Sequence, residues 1–125
     1  MALLEKILIV EDSLSQLDLM CHYLRDSVYR IIKATSAQQA LKIALQEELD
    51  LIITDVVMPE MSGFELCRFL KKNPATQKVP IVICSSKNQK VDRLWGMKQG
   101  AVAYVSKPFS REQLLRAIES VAVSM

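Results

Sequence analysis

The sequence is poor in the residues that build metal and redox centres. It has one histidine, His22, and three cysteines, Cys21, Cys67 and Cys84. The cysteines are widely spaced and never form a Cys-x-x-Cys pair. One histidine and no cysteine cluster argue against a zinc site. All three cysteines lie in apolar patterns and are expected as buried thiols of a cytoplasmic protein. No apolar run approaches the roughly 20 residues needed to span a bilayer, so no membrane insertion is expected. Glu5 and Lys6 interrupt the charged-then-apolar layout of a signal peptide. A net charge of only +2 implies no strong polyelectrolyte partner and no nucleic acid. There is no linker, repeat or low-complexity stretch, and one domain is expected over residues 1–125.

What is present is ordinary for a globular chain: 50% hydrophobic and 24% charged residues. Its pattern is regular. Lys6 to Val10 form an apolar run that ends in Glu11-Asp12. Ser13 and Gln16 then fit a capping box, and Leu14, Leu17, Cys21 and Leu24 recur at helical spacing. Tyr29 to Ala34 predict a second strand. Ser36 opens a second helix with Ala40, Leu41, Ala44 and Leu45 inward. Leu51-Ile52-Ile53 is a short run of the kind that forms a strand buried on both faces, and it stops at Thr54-Asp55. Pro59 forbids continuing the ladder and Gly63 lets the chain turn into a third helix, which Asn73-Pro74 ends. Val79 to Cys84 predict a fourth strand tipped by Ser85-Ser86. A more polar helix follows with Val91, Leu94 and Trp95 at helical spacing, ending near Gly100. Val102 to Val105 predict a fifth strand tipped by Ser106-Lys107-Pro108. Ser110 and Gln113 open a last helix carrying Leu114, Ala117, Ile118 and Val121. Five β-α units in strict alternation predict an α/β fold, a doubly wound five-stranded parallel sheet with helices on both faces.

In such a sheet the C-terminal strand tips share one edge and converge. Here they carry Glu11-Asp12, Asp55, Ser85 and Lys107. Crowded carboxylates repel one another, and a divalent cation relieves this; oxygen-only ligands suit Mg²⁺. With a compact positive charge from Lys107 and a hydroxyl from Ser85, the tips resemble a receptacle for a phosphoryl group. Asp55 is available as the nucleophile that forms an acyl phosphate. Taken alone, Asp55 could equally solvate a strand end or cap a turn.

Four segments, in order, resemble the receiver domain of two-component response regulators. They are Ile-Leu-Ile-Val-Glu11-Asp12-Ser, Leu-Ile-Ile-Thr-Asp55-Val-Val-Met-Pro-Glu-Met-Ser-Gly, Pro-Ile-Val-Ile-Cys-Ser85-Ser and Gly-Ala-Val-Ala-Tyr104-Val-Ser-Lys107-Pro-Phe. The resemblance implies the flavodoxin-like strand order 2-1-3-4-5 and a switch that accepts a phosphoryl group from a histidine kinase with Mg²⁺. It implies roles residue by residue. Asp55 matches the phosphoacceptor, Asp12 a metal ligand, Glu11 its acidic neighbour and the Val57 carbonyl the third protein ligand. Lys107 matches the phosphate-contacting lysine, with a cis bond to Pro108. Ser85 matches the switch hydroxyl and Tyr104 its aromatic partner. The departure is Glu rather than Asp at the first acidic position, which puts the metal geometry there in doubt. The signal is expected to leave by protein–protein contact through the face of the fourth helix, fifth strand and fifth helix. The protein itself is not expected to be an enzyme beyond slow self-dephosphorylation. The positions two after Asp55 and two after Ser85 are Val57 and Lys87, and neither can orient a hydrolytic water, so a long-lived acyl phosphate is expected.

The run Trp95-Gly-Met-Lys-Gln-Gly-Ala resembles PilH-type regulators of type IV pilus motility, a stand-alone kind. Chemotaxis and phototaxis regulators are the neighbouring possibilities. A receiver cut from a longer regulator or hybrid kinase is an alternative that Met1 and the clean ending count against. A phosphohydrolase of the haloacid dehalogenase type would want a second Asp where Val57 stands. A flavodoxin-like flavin carrier would want a phosphate-cradling loop where Glu11-Asp12 stand. Ser86 reads as a loop polar group, Trp95 as packing and His22 as a surface residue. Seven basic residues against two acids from Lys87 to Arg116, a local charge of +5, read as an acidic-partner surface or a solvated face.

Overall fold

A computed structural model describes residues 4–124, the last two by backbone alone. The chain alternates β1 (Lys6–Val10), α1 (Leu14–Tyr23), β2 (Arg30–Ala34), α2 (Ala37–Gln46), β3 (Leu51–Thr54), α3 (Gly63–Lys72), β4 (Ile81–Ser85), α4 (Lys90–Lys98), β5 (Ala103–Ser106) and α5 (Arg111–Ser124). All strand pairs are parallel, in the order β2-β1-β3-β4-β5. That is the expected α/β doubly wound sheet. The winding reverses between β1 and β3, so the tips of these two strands flank the crevice where such sheets hold ligands.

The strand sequences explain why the sheet is central. β1, β3 and β4 are apolar at successive residues because both sheet faces are covered. Leu8, Val10, Ile52, Ile81 and Ile83 pack on one face with Ala37, Ala40 and Ala44 of α2 and Leu66, Cys67 and Leu70 of α3. Ile7, Ile9, Leu51, Ile53, Val82 and Cys84 pack on the other, with Leu17, Met20 and Leu24 after β1 and Leu114, Ile118 and Val121 of α5. Successive residues thus serve opposite cores, the period of two that a strand imposes.

Several helix faces differ from the sequence pattern. In α1 and its C-cap the buried row is Leu17, Met20 and Leu24, whereas Leu14 at the helix start is 67% exposed. In α2 the alanines are buried and Leu45 is exposed, because small residues let the helix approach the sheet closely. In α4 the helical row Val91, Leu94 and Trp95 points outward, at 65%, 62% and 44% exposure, and Gly96 is the helix's buried residue. Cys67 and Cys84 are buried as expected, but Cys21 is only half-buried. β4 starts at Ile81 rather than Val79, because Pro80 has no N–H for the ladder.

The helix starts follow their capping residues. Ser13 and Ser36 each accept the backbone N–H three residues on, from Gln16 and Gln39. At α5, Ser110 and Gln113 form the full reciprocal box, at 3.1 and 2.7 Å. Ser62 and Glu65 make another at α3, both bonds 3.2 Å, which the reading of the sequence passed over.

Candidate functional site

Asp55 follows the last residue of β3, and its N–H donates to the Val10 carbonyl at 3.1 Å. That bond ties the tip of β3 to the tip of β1, where Glu11 and Asp12 stand. One carboxylate oxygen from each of Glu11, Asp12 and Asp55 lies within 4.8 Å of the others. Lys107 enters from the tip of β5, its backbone N–H on the Ser85 carbonyl at 2.9 Å. Its ammonium donates to Glu11 Oε1 and stands 3.6 Å from Asp55 Oδ2. Glu11 and Asp12 from the tip of β1, Asp55 from that of β3 and Lys107 from that of β5 therefore form one cluster. Glu11, Gln16, Asp55, Ser86, Lys107 and Pro108 wall a cleft of about 370 Å³. The Lys107-Pro108 bond is cis, as the resemblance implied.

The carboxylates are not equivalent. Glu11 is 1% exposed, and burial pushes its carboxyl above the ordinary range. The Lys107 hydrogen bond opposes that rise, and the Asp55 charge adds to it. Asp12 is exposed. Asp55 has its two oxygens in different states: Oδ1 accepts the Val56 N–H at 2.7 Å, and Oδ2 faces Lys107. Oδ2 thus has a nearby cation and, among the described residues, accepts no hydrogen bond, the form a nucleophile needs. The donor set is oxygen alone and carries three carboxylates, which fits a hard divalent cation such as Mg²⁺ and not a thiophilic metal.

Gly63 serves the site differently from the turn that the sequence suggested. The left-handed turn is made by Glu60, at φ 71°. At Gly63 a Cβ would lie 1.9 Å from the Asp55 carbonyl oxygen. The N-terminus of α3 is packed directly on the backbone of Asp55, with the Gly63 N–H on the Val56 carbonyl at 2.9 Å.

Ser85 ends β4 fully buried, and its Oγ accepts the Lys87 N–H at 3.1 Å. It does not line the cleft; Ser86, read from sequence as a loop residue, does. Gln16 is the other wall residue that sequence reasoning passed over, seen only as a capping partner. Its position in the first turn after the β1 tip was the available signal. Tyr104 is half-buried, its hydroxyl on the Lys87 carbonyl. Burial pushes its phenol up, and the Ser85 hydroxyl offsets part of the rise. Val57 and Lys87 line a neighbouring groove with Met58, Phe64, Asp92 and Trp95. The Lys87 ammonium pairs with Asp92, 3.7 Å from its Oδ1.

The family model described as response regulator receiver domain matches residues 7–119. Protein PilH of Pseudomonas aeruginosa is 35% identical over 116 residues, covering 93% of this chain and 96% of that one. The chemotaxis response regulator CheY4 of Vibrio cholerae superposes with a TM-score of 0.88 at 31% identity, covering 95% of this chain and 99% of that one. A putative response regulator from Chloroflexus aurantiacus superposes with a TM-score of 0.91 at 26% identity, covering 97% and 99%. Longer relatives also match: the chain spans 48% of the alkaline phosphatase synthesis transcriptional regulatory protein PhoP of Bacillus subtilis, at 34% identity. The matches leave no support for the flavin-carrier and phosphohydrolase alternatives.

Proposed function

Because the chain belongs to the response regulator receiver domain family, we propose that it is a single receiver whose Asp55 takes a phosphoryl group from a histidine kinase. The observation that carries this is the Asp55 carboxylate at a strand tip, 3.6 Å from Lys107 and grouped with Glu11 and Asp12. Asp55 Oδ2 attacks the phosphorus of a phosphohistidine. The new O–P bond forms as the P–N bond breaks, and the imidazole nitrogen keeps the electron pair and takes up a proton. Lys107 faces the incoming phosphoryl oxygens and offsets their charge. Glu11, Asp12 and Asp55, with the Val57 backbone carbonyl, are the residues that would hold Mg²⁺, which supplies the positive charge that lets a dianion approach three carboxylates. The buried position of Glu11 and its bond to Lys107 keep this edge of the cleft fixed.

Ser85 and Tyr104 are proposed as the switch pair, since the Lys87 amide and carbonyl join them. The output surface proposed is the face of α4, β5 and α5. Exposed Val91, Leu94, Trp95, Met97 and Val102 on and beside α4 support a protein partner there. A motility pathway, as in the PilH relative, and a cytoplasmic location complete the proposal. No helix among the described residues is long and apolar enough to cross a membrane. The test is labelling by a small phosphodonor with Mg²⁺. Asp55→Asn and EDTA should each abolish it, and undiminished labelling of Asp55→Asn removes the proposal.

A further inference from the structure

Gly96 lies inside α4, two residues before its end. Glycine in a helix interior costs about 1 kcal/mol relative to alanine. The backbone does not require it, because the glycine with positive φ is Gly100. What requires it is space. A Cβ at Gly96 would lie 3.0 Å from Ile83 Cδ1 and 3.1 Å from both Cδ2 and Cε2 of Tyr104. The Tyr104 ring therefore rests against the helix at the spot where any other residue would put a side chain.

The ring is held there from two other directions. Its hydroxyl donates to the Lys87 carbonyl. The Arg93 guanidinium lies over the ring, 5.5 Å from its centroid, and is anchored on Ser106 Oγ at 2.7 Å. All this stands while Ser85 Oγ still accepts the Lys87 N–H. The room that Tyr104 occupies is thus supplied by α4.

We propose that Gly96 is a positioning residue for Tyr104: it keeps an inward seat open on α4, and the ring fills that seat. The occupancy of the seat is then set by α4 as well as by the phosphoryl site, and a side chain at position 96 shifts the ring outward. This rests on Tyr104 being the switch residue.

The experiment follows ¹³C-labelled tyrosine ring signals with and without beryllofluoride and Mg²⁺, an acyl-phosphate mimic. In Gly96→Ala the resting Tyr104 signal should move toward the solvent-exposed position, and beryllofluoride should produce a larger shift than in the parent. Folding equilibria provide a second measurement. With Ile83→Val/Tyr104→Ala as background, which removes both the Cδ1 and the ring contacts, Gly96→Ala should raise the folding constant roughly fivefold, the helix-propensity gain alone. With Tyr104 present it should lower it. If Gly96→Ala folds poorly, Ile83→Val/Gly96→Ala removes the Cδ1 contact and leaves only the ring to be tested. A resting Tyr104 signal that neither variant moves overturns the proposal, as does an equal gain in both backgrounds. A parent Tyr104 signal that ignores beryllofluoride overturns the switch role of Tyr104 instead, and with it the functional part of the proposal.

Discussion

Gly63→Ala is the most direct test of how the fold positions Asp55. The added methyl would sit 1.9 Å from the Asp55 carbonyl oxygen, 2.8 Å from its carbon and 3.0 Å from Val56 Cα. All three are backbone atoms, so no side-chain rotation relieves the clash. The start of α3 must retreat from β3 by at least about 1 Å, and the Gly63 N–H bond to Val56 at 2.9 Å is lost or stretched. Overpacking of this kind costs about 1–3 kcal/mol, against a helix-propensity gain of at most ~1 kcal/mol. A clash with fixed backbone falls in the upper part of that cost, and the net loss of about 1–2 kcal/mol lowers Tm by roughly 3–12 °C for a chain of this size. Because the strained atoms belong to Asp55 itself, its carboxylate shifts too. A misplacement of ~1 Å at a reacting group costs on the order of 100-fold in rate. The assay is Mg²⁺-dependent labelling by phosphoramidate, followed by intact mass, at a temperature well below each variant's melting point. Gly100→Ala is the control. It strains a residue at φ 110° whose neighbour is the flexible Lys71 side chain, so it should lower Tm yet label at the parental rate. A Gly63→Ala protein that melts and labels like the parent would refute the reasoning.

Other expectations rest on independent contacts. Lys107→Gln removes two of the three influences that lower the Glu11 carboxyl, sparing the Ser13 N–H, and leaves those that raise it, burial and Asp55. A carboxyl raised in the folded state binds its proton more tightly than in the unfolded chain. Stability therefore falls as pH climbs from the unfolded value of 4.5 through the folded one. The variant should lose about 3 kcal/mol at neutral pH and recover part of it on acidification, measured by urea melts across pH 4–7. Burial raises the Cys67 and Cys84 thiols to about 11 and about 12. At pH 8 the Cys67 thiolate is then roughly one part in a thousand, so mass spectrometry should find Cys21 alone alkylated in the native protein. Lys87 pairs with Asp92, so Lys87→Glu should loosen the start of α4 by charge repulsion, and Val57→Asn should bring a polar group near the attacking water. Each should shorten the acyl-phosphate lifetime by roughly tenfold if it contributes about 1.4 kcal/mol to hydrolysis; unchanged decay would mean that these side chains do not set it.

The sequence by itself determined the element order and the chemistry at the sheet edge. Apolar runs that stop at Glu11, Asp55, Ser85 and Lys107 are local signals, because a strand's end is written in adjacent residues. The strict alternation of strand and helix leaves a parallel sheet as the economical way to cover both faces, and the family resemblance supplied its order. Tertiary structure alone decided the rest. Which helix row faces inward depends on how closely the helix can approach the sheet, so Ala37, Ala40 and Ala44 displaced Leu45, and α4 buried Gly96 in place of Leu94 and Trp95. The wall residues Gln16 and Ser86 came from the meeting of segments distant in sequence. The partner that Lys87 takes was likewise fixed by the turn into α4, which brings Asp92 to it. Gly63 and Gly96 look alike in sequence, as punctuation. Each is in fact a contact, one with the Asp55 backbone and the other with the Tyr104 ring. An absent side chain carries no local pattern, and its meaning exists only once the neighbour that fills the space is in place.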